Sequence, residues 1–335
     1  MQVARFVVRR LALGLLALAG ITFATFWLFE SQDPTLAQVE NHPSVLHAYW
    51  LWVKGLWGGP TFHLLTLPAP ARLNTTLSTS VLSALGHTAV LLGYALLLVV
   101  VFSVAVAVIA SRGRGTAVDI TMRSASYVMW AAPAFLLAML VQLFMFHVSG
   151  DRGIGPFPLA GWPGSCPGGL GIDSGVLAGC PSAGSGIRYG LNVMRYMTFP
   201  AVVLALGFIG LHGRYLRSAL FETLDAPFIT TARAKGVSER GIVFRHALRA
   251  SLVTFVTVLL ADFGAIFGAA MAVDWVYQLN GLGTVFISEF PTDFGSINTY
   301  SLELVILIMG ACVILASVLS EIVAFWLDPR VRAEQ

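Results

Sequence analysis

Long apolar runs separated by short polar intervals set the pattern of this chain. A hydrocarbon core about 30 Å thick takes about 20 consecutive apolar residues as a helix, and runs of that kind fall at about residues 6–29, 86–110, 127–149, 196–216, 251–275 and 302–327. Backbone N–H and C=O groups find no partner in hydrocarbon, so each run predicts an α-helix. Six such helices predict an all-α integral membrane protein with both termini on one side. The intervals divide it into residues 1–85 (first span plus an extracytoplasmic segment), 86–327 (a five-helix core) and 328–335 (a tail). Within the core the long intervals are an outer loop of about residues 150–195 and an inner loop of about residues 217–250.

Composition narrows the class. Of 335 residues, 57% are hydrophobic and 11% charged, against about a quarter charged in soluble domains, which excludes an ordinary globular enzyme and makes membrane lipid the surroundings. The formal net charge of +3 is small and the basic residues are scattered, so nucleic acid is not expected as a partner. Their placement is informative. With the N terminus inside, the inner intervals hold Arg5, Arg9, Arg10, Arg112, Arg114, Arg123, the basic residues of 214–249, Arg330 and Arg332, leaving Lys54, Arg72, Arg152, Arg188 and Arg195 outside. The positive-inside rule favours that orientation. Arg9-Arg10 followed by an apolar run resembles the start of a signal peptide, but the run is too long and lacks a convincing small-residue cleavage site, so the first span is expected to remain.

The outer segments offer two features. Trp50, Trp52 and Trp57 punctuate a moderately apolar stretch, which suits either a helix lying at the interface or simple packing on the span tops. The loop at about 150–195, rich in Gly, Pro and Ser, carries Cys166 and Cys180 on the oxidising side, and a disulfide between them is expected; no nearby His or second Cys has metal-ligand spacing.

The inner loop differs from everything around it. Residues Phe228 to Ala234 favour a short helix, Gly236 can take the left-handed geometry that ends one, and Ser238 followed by Glu239 can cap the next. Two helices bent at Gly236 are thus predicted, a basic pair shaped to dock on another protein. Inside the spans, Asp262 stands alone in an apolar run, where an unpaired charge is costly; a place in a translocation path and a structural pairing both stand as readings. Gly264 and Gly268 have the Gly-x-x-x-Gly spacing that permits close helix contact, and packing is the expectation for them. Gly207, Gly210 and Gly213 support a similar close-packed fourth span.

The run Thr231-Ala232-Arg233-Ala234-Lys235-Gly236-Val237-Ser238-Glu239, then Arg245-His246-Ala247-Leu248-Arg249, resembles the coupling-loop signature of dipeptide and oligopeptide importer permeases of the ABC transporter superfamily. Ala110-Ser111-Arg112-Gly113, Pro133-Ala134-Phe135, Phe199-Pro200-Ala201, Gly281-Leu282-Gly283 and the terminal Leu327-Asp328-Pro329-Arg330-Val331-Arg332 follow in the family's order. There are departures. Thr230 stands where the pattern has Glu or Arg, Ala250 and Val253 replace Asn and Pro, Asp274 replaces Glu, and Asn280 replaces the Pro before Gly281.

The resemblance implies a type I importer permease with cytoplasmic termini. It implies an assembly with a second homologous permease subunit, two ATP-binding subunits and an extracytoplasmic solute-binding protein in a bacterial inner membrane. Asp225, Phe228, Thr231, Ala232, Lys235, Gly236, Ser238 and Glu239 are then expected to meet an ATPase subunit, with no cofactor in this chain and ATP and Mg held by the partners. The chain's lysines, Lys54 and Lys235, follow no phosphate-loop glycine pattern, which agrees with ATP being hydrolysed elsewhere. A secondary transporter driven by an ion gradient is the competing reading, with Asp262 as its ion site; an intramembrane metalloprotease would need a His-Glu-x-x-His pair, which is absent.

Overall fold

The computed structural model describes residues 2–32, 44–56, 77–111, 115–149, 154, 156–163, 185–288 and 299–327. Its helices are α1 (Gln2–Gln32), α2 (Val45–Leu56), α3 (Leu77–Ala110), α4 (Ala117–Ala131), α5 (Ala134–Ser149), α6 (Ile187–Leu224), α7 (Pro227–Ala234) and α8 (Glu239–Gly241). A π-helical turn (Ile242–Ala247) then leads into α9 (Leu248–Ala261), followed by α10 (Phe263–Tyr277), α11 (Leu282–Ser288) and α12 (Thr299–Leu327). Among the described residues the regular structure is helical, with turns between the helices and an isolated bridge between Ile154 and Phe157. Among the described residues five helices are long and apolar enough to cross a membrane, or six if one bent pair is a single span. The chain forms two compact units, one of Met1–Ala89 with Leu279–Val318 and one of Val90–Gln278 with Leu319–Gln335.

In the first unit α1 packs against α12 at glycines: a Cβ added at Gly14 would lie 2.8 Å from Ile314 Cγ2, and one at Gly310 would strike Leu18. The tryptophan stretch is indeed a helix, α2. Trp52 is buried with Phe26 and Ala48, while Tyr49 stacks on Trp52 and its hydroxyl lies 2.9 Å from Thr22 Oγ1 on α1. Trp50 is exposed, with Lys54 Nζ 5.2 Å from its ring centre. One face therefore packs and the other carries the amphipathic ring and cation suited to an interface; Trp57 lies outside the described residues. At the start of α11, Leu282 N–H donates to Thr88 Oγ1 (2.9 Å). Asn280, at φ 56°, occupies a left-handed conformation closed to proline, which explains the departure there.

The second unit corrects the third predicted span. In place of a single helix over 127–149, α4 and α5 meet at an angle of 92°. Pro133 cannot continue the hydrogen-bond ladder, and the residue before it, Ala132, is extended at φ −86°, ψ 124°. The fourth span, predicted over 196–216, is the central portion of the 38-residue α6, about 57 Å long and so well beyond hydrocarbon thickness. Its extension shortens both neighbouring loops: the outer one ends before Ile187, and the inner one begins after Leu224. The predicted fifth span, 251–275, is interrupted at Asp262 between α9 and α10.

The glycines of the fourth span are close-packed as predicted. A Cβ at Gly210 would sit 2.6 Å from the Ser126 carbonyl oxygen of α4, one at Gly213 3.4 Å from Val106 of α3, and one at Gly207 3.6 Å from the Met129 carbonyl. By contrast a Cβ at Gly268 would meet nothing within 4 Å, so the close contact expected at Gly264 and Gly268 is not made at Gly268 by this chain's described helices. Cys166 and Cys180 lie outside the described residues.

Candidate functional site

The segment after α6 is built by consecutive caps. Asp225 N–H donates to the Phe221 carbonyl (3.2 Å) and closes α6. Ala226 is extended, and Pro227, which has no N–H to leave unsatisfied, opens α7. The α7 helix ends in a Schellman turn: Val237 N–H donates to the Ala232 carbonyl (3.2 Å) and Gly236 N–H to the Arg233 carbonyl (2.9 Å), with Gly236 at φ 78°. Two residues on, Ser238 Oγ accepts from Gly241 N–H (3.3 Å) and starts α8. Helix, left-handed glycine and capped second helix are thus all present where the residues predicted them.

Packing folds this hairpin back on the long helices. Ile229 and Ala232 of α7 are buried, as are Ile242 and Ala247 of the π turn against which α7 lies; burying Ile229 alone contributes about 2 kcal/mol. Thr223 Oγ1 at the end of α6 lies 3.1 Å from Ser251 Oγ on α9, bracing the two stems. On the outer surface Arg233 grips Glu239 through Nε–Oε1 (2.9 Å) and Nη2–Oε2 (3.3 Å), a fork that raises the guanidinium pKa further above its ordinary value. Phe228, Thr231, Lys235, Gly236, Ser238 and Glu239 share that exposed surface, whereas Ala232 faces inward and serves the fold.

One ion pair and one close His–Asp contact, neither with its partner named by the sequence, lie along α6. Arg217 forks onto Asp119 of α4 through Nε–Oδ1 (2.6 Å) and Nη2–Oδ2 (2.7 Å), and Gly115 N–H donates to the same carboxylate (3.1 Å). Asp119 is buried and Arg217 nearly so, so neither charge could stand alone. Farther along α6, the fully buried His212 donates Nδ1–H to the Phe208 carbonyl (3.0 Å) and turns Nε2 toward Asp262 Oδ2 (3.4 Å). Asp262 therefore has a close polar neighbour, although no hydrogen bond joins the two. The signal available in sequence was a lone His and a lone Asp in facing apolar runs. In the first unit Glu303, to which the sequence assigned nothing, is wholly buried near Thr25.

An apolar helical bundle carrying an ordered, charged hairpin at the end of a long helix fits the outcome of comparison with known proteins. Residues 100–333 match the family model "Binding-protein-dependent transport system inner membrane component". This chain belongs to that family. It is a multi-pass inner-membrane permease subunit of an ABC importer, working with ATP-binding and solute-binding proteins. The permease is 27% identical over 353 aligned positions to a putative peptide permease protein of Brucella suis biovar 1, covering 98% of this chain and 99% of that one. It is 28% identical over 241 positions to the oligopeptide transport system permease protein OppB of Salmonella typhimurium, covering 71% of this chain and 66% of OppB. A third relative, a putative peptide transport system permease of Brucella abortus, is 33% identical over 147 positions, 42% of this chain and 44% of its own length.

Proposed function

We propose that this permease forms one half of the translocation path for di- or oligopeptides and that the hairpin of residues 225–249 couples that path to a separate ATPase subunit. The observation that carries the coupling role is the hairpin's construction. A merely solvated loop needs neither a Schellman turn, an N-cap and a forked Arg233–Glu239 pair, nor a buried Ile229 on a helix that lies against the π turn. Such a body can transmit a push, because its parts are fixed to α6 and α9. The basic bias of the inner intervals supports a cytoplasmic hairpin and cytoplasmic termini. The peptide assignment rests on the relatives, whose names are those of peptide permeases.

In this reading Phe228, Thr231, Lys235, Gly236, Ser238 and Glu239 present the docking face, Asp225 closes the stem behind it, and Ala232 fixes α7 from beneath. The working assembly adds a second homologous permease, two ATP-binding subunits that bind ATP and Mg, and a solute-binding protein; this chain itself catalyses nothing. ATPase closure at the hairpin would bias the spans between inward-facing and outward-facing arrangements, a linkage between two sites through a bistable element.

Purification from the native membrane in mild detergent, identification of the proteins retained and a peptide-uptake assay in proteoliposomes test this. Recovery of two ATPase chains, a sibling permease and a solute-binding protein, with ATP-dependent peptide uptake, is the expected result. Uptake by this chain alone, driven by an ion gradient, would overturn it in favour of a secondary transporter using the His212–Asp262 pair.

A further inference from the structure

We propose that the Asp262 carboxylate lies in the translocation path and binds the terminal ammonium group of the imported peptide. This deepens the peptide-import reading and rests on it.

Three observations converge on Asp262. First, it sits at a local kink: α9 stops at Ala261, α10 starts at Phe263, and Asp262 between them is at φ −83°, ψ 2°. The hydrogen-bond ladder runs on through it, Asp262 N–H donating to the Val258 carbonyl (3.0 Å) and its own carbonyl accepting from Ile266 N–H (3.1 Å), so the span is kinked there and not unwound.

Second, 36% of the Asp262 side chain is uncovered, while its partner His212 is fully enclosed. A carboxylate open to that degree is not stable against lipid tails, so the open side must meet something polar.

Third, the existing pairing is incomplete. A carbonyl can only accept, so the contact of Nδ1 with Phe208 O fixes the proton on Nδ1. Nε2 then faces Asp262 Oδ2, and those two atoms, 3.4 Å apart, form no hydrogen bond. The carboxylate thus keeps acceptor capacity for a donor that brings a positive charge. His212, wedged among the rings of Phe208, Tyr215 and Phe255, cannot turn away.

A compact ammonium entering from the open side supplies that charge and donates to the carboxylate. Every unblocked peptide carries one at its N terminus whatever its sequence. A single fixed carboxylate would therefore recognise peptides in general while the solute-binding protein chooses among them.

The test uses the assembled importer in proteoliposomes, with trialanine delivered by its solute-binding protein. Asp262→Asn, which keeps the shape and removes the charge, should lower saturating uptake about tenfold, equivalent to about 1.4 kcal/mol of barrier, and Asp262→Glu should recover most of it. In the Asp262→Cys variant a membrane-impermeant methanethiosulfonate should modify position 262, located by peptide mass spectrometry, and delivered trialanine should slow that modification. Wild-type uptake in Asp262→Asn would overturn the proposal. So would an Asp262→Cys variant left unmodified with and without ATP, since the carboxylate would then lie under covering protein. Failure of the wild-type complex to import trialanine would bring down the peptide reading and this proposal with it, whereas normal wild-type import with an indifferent Asp262→Asn brings down this proposal alone.

Discussion

Replacing Gly236 is the sharpest test of the coupling hairpin, because the structure separates two reasons for a glycine there. An added Cβ would meet nothing within 4 Å, yet the residue stands at φ 78°. Substitution therefore acts on the backbone conformation and not through a clash. An L-residue in left-handed geometry costs about 1–2 kcal/mol, Asn tolerates it best among non-glycines, and a β-branched residue is at the upper end of about 1–3 kcal/mol. Taking about 2 kcal/mol for Gly236→Val, the ratio of closed to open turn falls about thirtyfold.

The bonds at stake are Gly236 N–H to Arg233 O and Val237 N–H to Ala232 O. Hydrogen exchange at those two amides should accelerate by a comparable factor in Gly236→Val and only slightly in Gly236→Asn. In the assembled importer, stimulation of ATP hydrolysis by loaded solute-binding protein should be lost in Gly236→Val and largely kept in Gly236→Asn, with both variants inserting normally. Full stimulation in the Val variant would refute the coupling role of the turn. Equal loss in Val and Asn would refute the backbone argument, because the deciding quantity would then be the bare surface at position 236 and not its φ.

The remaining predictions concern the supports of the site. Arg217→Ala leaves the buried Asp119 without its forked partner and should cost about 3–5 kcal/mol, seen as an earlier heat-induced loss of the monodisperse solubilised chain; adding Asp119→Asn should return part of it. Gly210→Ala drives a Cβ to 2.6 Å from the Ser126 carbonyl, a backbone atom that cannot swing aside, and should lower stability by about 1–3 kcal/mol in the same assay. Gly268→Ala, with open space around it, should leave the isolated chain within about 0.5 kcal/mol of its parent. Ser238→Ala removes the acceptor for Gly241 N–H and should destabilise the start of α8 by about 1 kcal/mol, read as faster exchange of the Gly241 amide.

Much of the helical pattern was legible because hydropathy reports directly on the bilayer, and the hairpin was legible because capping is local: Gly236, Ser238 and their partners lie within a few residues of one another. Element ends were less so. Apolar content does not show that α6 continues to Leu224 as an ordered stem, since residues 217–224 are polar enough to read as loop while Leu220 and Phe221 are buried. The bend at Pro133 was signalled by a residue that cannot propagate a helix, but the apolar run on both sides outweighed it in a length-based reading. For Gly264 and Gly268, the spacing carries a capacity for close contact and no information on which neighbour, if any, uses it.

The long-range pairs follow a different logic. Nothing local connects Asp119 with Arg217, 98 positions away, or His212 with Asp262. Yet charges and imidazoles in a bilayer protein are too costly to be left unmatched, so each lone polar residue in an apolar run is a demand that some other run must meet. The fourth span carries His212 and Arg217, and the acids that answer them stand in the third and fifth. What the fold adds is the quality of each match. Asp119 receives two guanidinium N–H bonds and a backbone N–H and is enclosed, the signature of a pair serving stability. Asp262 faces a ring nitrogen 3.4 Å away with no hydrogen bond between them and stays partly open at the kink between α9 and α10. The same requirement for pairing thus separates a structural carboxylate from one with capacity left for a cation, and it is the second kind that a path for charged solutes needs.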